Sequence, residues 1–201
     1  NIEKTLSNLE KNGFKTKYFS NRHKALSWLI NQLDPGKMAS SGGSVTLKEI
    51  GLLEKLTQKN ITYIDRYNPP PGKTMEDVEQ MAFGADYYFS SANAITQDGY
   101  ILNVDSSGNR VAAIIYGPEK VYLVVGQNKV CKDAEAALKR NQDIAAPLNC
   151  KRLQRKTPCN HTGICVNCLS PERICRAYTL LQMAPTNHEI TVVMIGEDLG
   201  Y

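Results

Sequence analysis

"SSGGSVTLKEIGLLEKL", residues 40–56, puts two glycines between an expected strand and an expected helix, and that junction decides the fold class. Just upstream, "LDPG" at 33–36 stops a helix, and a short strand is expected near Met38. Just downstream, Leu47, Ile50, Leu53 and Leu56 recur at helical spacing. Thr46 and Glu49 have the T-x-x-E spacing of a capping box, with Val45 and Ile50 at the hydrophobic-staple positions. The helix is therefore expected to begin within a residue or two of Thr46.

The same alternation extends in both directions. Ile2, Leu6 and Leu9 predict a first helix, and Ala25, Trp28, Leu29 and Leu33 a second. "ITYID" (61–65) reads as a strand, "NPPPG" (68–72) as a break, and Thr74 as the cap of a helix carrying Met75, Val78 and Met81. "ADYYFS" (85–90) is strand-like. "AITQDGYILNV" (94–104) reads as two strands around the Asp98-Gly99 turn, and "RVAAIIY" (110–116) as a third. An antiparallel insertion over about 94–116 is thus expected to interrupt the α/β order. A helix over 133–142, a short one over Ala177–Met183 and a last buried strand in "EITVVMIGEDLG" complete the pattern. The expectation is one α/β domain over 1–201, a mostly parallel sheet flanked by helices, with a Cys-rich segment over 150–176.

Composition narrows the function classes. Of 201 residues, 42% are hydrophobic and 22% charged, ordinary values for a water-soluble globular chain. No apolar run is long enough to span a membrane and no signal-peptide pattern opens the chain, so a cytoplasmic protein is expected. Asn1 at the start points to further residues upstream. A net charge of +4 is too small to argue for nucleic acid. In the cytoplasm thiols stay reduced, so clustered cysteines point to metal or catalysis rather than disulfides.

The glycine loop leaves two readings open. Gly42 and Gly43 let a backbone approach a ligand, and Ser44 and Thr46 add hydroxyls at a helix start, where an anion is favoured. Alternatively, the glycines serve only a tight turn. The loop matches neither the phosphate-binding P-loop nor the dinucleotide fingerprint. Asn93, Arg110 and Lys129 adjoin strand ends, where the two cations can face an anion held at that loop.

Four of the six cysteines fall within "PCNHTGICVNCLSPERIC" (158–175), at the spacing C-x5-C-x2-C-x6-C. The C-x-x-C pair Cys165/Cys168 lets two thiolates reach one metal, and Cys159 and Cys175 close the set. Arg155, Lys156, Arg173 and Arg176 offset the surplus negative charge of four thiolates. Structural zinc sites of four cysteines come as two C-x-x-C pairs; one pair and two wider singles suit a bulkier [4Fe–4S] cluster, with zinc as the alternative. Cys131 and Cys150 read as ordinary core or loop cysteines.

Four stretches resemble the LUD (lactate-utilisation) domain family: "GGSVTLKEIGL", "SANAITQDGYILNVDSSGNRVAAIIYGPEKVYLVVGQNKV", "PCNHTGICVNCLSPERIC" and the ending "VVMIGEDLGY". The resemblance implies a Rossmann-like sheet with an antiparallel flap, the fold of ribose-5-phosphate isomerase, glucosamine-6-phosphate deaminase and the coenzyme A transferases. It also implies a role around lactate oxidation, beside iron–sulfur and flavin oxidoreductase partners, without a defined reaction. An isomerase would need a carboxylate base near the loop. With Glu49 committed to the capping box, Asp98 and Glu197 are the candidates. Two functions stand: a metal-binding, electron-transfer accessory of organic-acid utilisation, or an enzyme binding a small anionic or phosphorylated substrate at the glycine loop, its cysteine site structural.

Overall fold

Strand after strand enters from the same end, and the chain builds two sheets. The computed structural model describes residues 1–186 and 188–201. The first half runs α1 (Ile2–Lys11), β1 (Lys15–Phe19), α2 (Arg22–Asn31), β2 (Met38–Ser41), α3 (Val45–Glu49), α4 (Leu52–Leu56), β3 (Thr62–Ile64) and α5 (Met75–Met81). Then come β4 (Tyr87–Ser90), β5 (Ala94–Thr96), β6 (Ile101–Asp105), α6 (Asn109–Ile115), β7 (Lys120–Gly126) and β8 (Val130–Cys131). The last part holds α7 (Ala134–Arg140), α8 (Ala146–Arg152), α9 (Pro158–Thr162), β9 (Ala177–Leu181) and β10 (Glu189–Ile195).

The larger sheet has the order β1-β10-β7-β4-β2-β3, and every neighbouring pair is parallel. Its two faces bury separate cores. Val121, Leu123 and Val125 point to one with Leu9 and Ile114, while Tyr122 and Val124 point to the other with Leu29, Leu47 and Leu52. Burial on both faces explains why β7 and β10 read as continuous apolar runs rather than alternating ones. Among the described residues no helix is long and apolar enough to cross a membrane.

The second sheet is mixed, in the order β8-β5-β6-β9, with β5 and β6 forming the expected hairpin. The insertion is not a three-stranded meander, however. "RVAAIIY" forms α6, opened by Gly108 at φ +86° and by Asp105, whose Oδ2 accepts from Val111 N at 2.8 Å. Turn and cap thereby override the strand preference of the β-branched residues. Conversely, Ala177–Met183 is no helix: Ala177–Leu181 is β9, laid antiparallel on β6. The 133–142 helix continues through a π turn at Asn141–Ala145 into α8.

The glycine-loop helix also differs from expectation. Ser44, not Thr46, is the N-cap, accepting from Leu47 N at 3.2 Å. Thr46 is turned inward and buried, and Glu49 accepts from Gly200 N at 2.7 Å instead of closing a capping box. Gly51, at φ +74°, breaks the expected single helix into α3 and α4.

Candidate functional site

The β2–α3 loop, the chain after β4, the end of β6, the turn after β7 and α8 enclose a cleft of about 390 Å³. It lies beyond the carboxyl ends of parallel strands, where open α/β sheets place ligands. Gly43, Ser44, Thr46, Asn93, Arg110 and Lys129 all line it, so residues spread over 87 positions of sequence converge on one surface. Gly42 sits behind the wall. A Cβ there would stand 2.9 Å from Arg110 Cγ and Cδ and 3.0 Å from the Tyr88 hydroxyl. One at Gly43 would stand 2.7 Å from the Tyr67 hydroxyl. Neither glycine occupies the left-handed region, so both are there for space, not for backbone freedom.

Lys129 is the least expected member. It is 3% exposed, and its Nζ donates to Thr46 Oγ1 at 2.9 Å and Ser91 Oγ at 3.0 Å. Among the described residues no ion pair includes it. Burial, followed by the nearby charges of Arg140 and Arg110, pushes its pKa down from 10.5 to about 7; the carboxylate of Glu49 opposes this. An inward Thr46 is thus explained: its hydroxyl solvates a buried amine, which would otherwise carry a large desolvation penalty.

Arg110 lines the same cleft but has no donor to offer a ligand. Nε donates to Asp105 Oδ1 (2.9 Å), Nη1 to Ser91 O (2.9 Å) and Asn103 Oδ1 (2.8 Å), and Nη2 to Asn93 Oδ1 (2.9 Å) and Val104 O (3.1 Å). Five N–H groups are matched by five acceptors. Arg110 and Asn93 therefore organise the wall. Other cations line the cleft: Arg66, half-buried, stacked on Tyr67 and ion-paired with Glu79, and the exposed Arg152, which donates to Asn149 Oδ1 and the Tyr201 hydroxyl, and Arg155. Arg66 stands two residues beyond β3, and a residue just past a parallel strand's carboxyl end carries that signal in the sequence; Arg152 and Tyr201 have none.

Asp98 and Glu197 lie off the cleft. Asp98 occupies the hairpin turn, where its carbonyl accepts from Asn12 Nδ2 at 2.9 Å. Glu197 accepts from Arg22 N (2.8 Å) and Arg22 Nε (2.6 Å), bonds that hold its carboxyl below the usual range. Among the described residues Asp105 is the one carboxylate lining the cleft, and it is ion-paired with Arg110 at 2.7 Å.

The cysteines form a second centre. Cys159, Cys165, Cys168 and Cys175 line one small apolar pocket of about 10 Å³, and Cys150 joins them. All are free thiols; Cys150, Cys159 and Cys175 are buried. Burial, with Cys159 and Cys175 close by, pushes the Cys150 thiol up to about 11. Arg173 ties the segment together, Nη1 donating to Cys168 O (2.7 Å) and Nε to Cys175 O (2.8 Å). Among the described residues no three or more His, Cys, Asp or Glu side chains surround a single-ion position. The donor chemistry, five thiols around an apolar space beside a guanidinium, nonetheless suits a thiophilic group larger than one ion. Cys150 escaped the sequence pattern because it sits on α8, apart from the clustered spacing. Ile174 lines both centres, and consecutive α8 residues face each: Asn149 the cleft, Cys150 the thiols.

Comparison with known proteins agrees with this architecture. No curated protein matches the sequence. The fold is similar to the crystal structure of a DUF162 family protein from Deinococcus radiodurans, with a TM-score of 0.59 over 97% of this chain and 96% of that one, at 10% identity. A family model described as the LUD domain matches residues 2–195, nearly the whole length. The chain belongs to the LUD domain family.

Proposed function

We propose that the protein binds a small organic anion in the cleft beside the glycine loop. One observation carries this: Lys129, Arg152 and Arg155 line the cleft with no ion-pair partner among the described residues, while Asp105, the one carboxylate of that lining among them, is already paired with Arg110. Positive charge gathered in a concave, partly desolvated site raises the local concentration of anions and strengthens each contact made there. The family's association with lactate utilisation makes lactate and other short organic acids the first class to try, with sugar phosphates and coenzyme A derivatives beside them. A ligand present at 100 times its dissociation constant should stabilise the fold by about 2.7 kcal/mol, read as a rise in melting temperature. Loss of that rise in Arg152→Ala or Arg155→Ala is the expected result. If none of these anions raises the transition, the reading fails.

A second reading concerns the thiol pocket, and the convergence of five cysteines there favours it. Cys159, Cys165, Cys168 and Cys175 would hold a [4Fe–4S] cluster, whose ligands stand at separate corners rather than around one ion. When bound, such a cluster supplies one-electron transfer, which would pair the protein with iron–sulfur or flavin oxidoreductases. The chain's own part is definite: Arg173 holds the carbonyls of Cys168 and Cys175, and Ile174 separates the pocket from the cleft. Protein purified without oxygen should contain about four irons and four sulfides per chain, with visible absorption lost in Cys165→Ser. A colourless protein with one zinc would overturn the cluster in favour of a structural clasp.

A further inference from the structure

We propose that the Lys129 amine forms a covalent imine with a carbonyl-bearing organic anion held in the cleft. This rests on the cleft reading and deepens it, by adding a bond to a named atom.

The geometry favours a nucleophile over a simple anchor. An anion anchor works best as a permanently charged, well-solvated guanidinium, and the cleft already has the exposed Arg152 and Arg155 in its lining. Lys129 is different in every respect. It is 97% removed from solvent, makes no ion pair among the described residues although the Glu49 carboxylate is near enough to favour its charged form, and lies against two hydroxyls and a cleft wide enough for a small molecule. Burial and the guanidiniums of Arg140 and Arg110 hold its pKa to about 7, so near neutrality about half the amines keep a free lone pair. Activation of lysine by desolvation and by neighbouring cations is the usual route to amine nucleophiles. The exposed cations of the lining then select which carbonyl compounds arrive: those that carry a negative charge.

The step balances without a further reagent. The Nζ lone pair attacks the carbonyl carbon, and one amine proton moves to the carbonyl oxygen, giving a carbinolamine. The hydroxyl then leaves as water, taking a proton from Thr46 or Ser91, which recovers one from the nitrogen; Oγ atoms at 2.9 and 3.0 Å are placed for that relay. One water is released and nothing is oxidised.

The probe is glyoxylate, the smallest aldehyde that carries a carboxylate, with sodium cyanoborohydride near neutral pH and peptide mapping by mass spectrometry. An imine at Lys129 is reduced to a carboxymethyl group on that residue. Lys129 should be labelled at least about tenfold faster than Lys4 and Lys17, which are exposed and lie far from the cleft lining. Excess lactate should slow the labelling of Lys129 alone, and Lys129→Arg should abolish the fast adduct while keeping a positive charge. Labelling of Lys129 no faster than that of Lys4 and Lys17 in the unmutated protein overturns the proposal, whatever the variant does. Melting curves with glyoxylate and no reductant separate the two readings. Stabilisation without a Lys129 adduct sinks the imine and leaves anion binding standing, whereas neither stabilisation nor adduct sinks both.

Discussion

Between β7 and β10 the parallel register runs unbroken over seven residue pairs, from Lys120 opposite Glu189 to Gly126 opposite Ile195. Between Gly163 and Arg176 no residue belongs to a helix or a strand. The first region closes its backbone with ladder hydrogen bonds and buries apolar side chains on both faces. The second closes through side chains reaching the backbone: Ser170 Oγ to Lys156 O (2.8 Å), Lys156 N to Glu172 Oε2 (2.9 Å), and the two bonds of Arg173. Of its apolar residues Ile164, Val166 and Leu169 face outward, while Ile174 is buried. The sheet can therefore hold itself together by burial, while the cysteine segment has little burial to draw on. A thiophilic group bound among the cysteines would contribute to folding locally, in a segment that has no helix or strand of its own.

The largest expected effect lies where the ordered region meets the cleft. Arg110→Met should cost about 3–5 kcal/mol, because it leaves the nearly buried Asp105 carboxylate without its cation and strands the acceptors of Asn93, Asn103 and Ser91. Urea unfolding measures this directly. A loss under about 1 kcal/mol would mean water replaces the guanidinium, and that the cleft wall is as loosely built as the cysteine segment.

That contrast also governs what could be read in advance. Alternating strands and helices were legible because each buries an apolar face with its own period, and the cleft residues converged because they follow strand ends. Where local rules left two solutions, tertiary demand decided. Ser44 and Thr46 are both competent caps, but a buried Lys129 needs a hydroxyl, and Thr46 is the one that supplies it. "RVAAIIY" has strand composition, yet Asp105 and Gly108 start a helix that presents Val111 and Ile114 to the core. Glu197 looked available only because its partner, Arg22, is remote in sequence, and Asp98 because nothing local shows that its turn lies off the cleft. The cysteine segment offered spacing but no periodicity, so its ligand candidates were legible and its fifth thiol, Cys150, was not.

A smaller effect separates the two regions by pH. Lys129 has a folded pKa of about 7 against 10.5 when unfolded, so between those values the unfolded chain binds more protons. The cost of burying this amine is complete below pH 7 and fades as pH rises, and stability climbs by up to about 1.4 kcal/mol per pH unit. Thiols act in the opposite sense. Cys150 is raised from 9.0 to about 11, which favours its neutral form in the fold, so stability falls once the unfolded thiol ionises above pH 9. Urea midpoints should therefore rise from pH 7 to about 9 and level off between about 9 and 10.5, where the two slopes oppose each other, and Lys129→Met should remove the rise. An unchanged slope in that variant would show that Lys129 is solvated in solution, with an ordinary lysine pKa.

The smallest effect is the sharpest check on the irregular side of the comparison. Leu169 is 95% exposed and follows Cys168 directly. It buries nothing in the isolated chain, so Leu169→Ser should change stability by less than about 0.5 kcal/mol, where a buried leucine such as Leu123 would lose 2–5 on truncation to alanine. The measurement is a melting curve at two protein concentrations. An unchanged, concentration-independent curve keeps Leu169 in water and leaves the thiols as the segment's source of order. A drop that grows with protein concentration in the unmutated chain's favour would mean that a second copy covers this leucine, and that the segment is stabilised by association rather than from within.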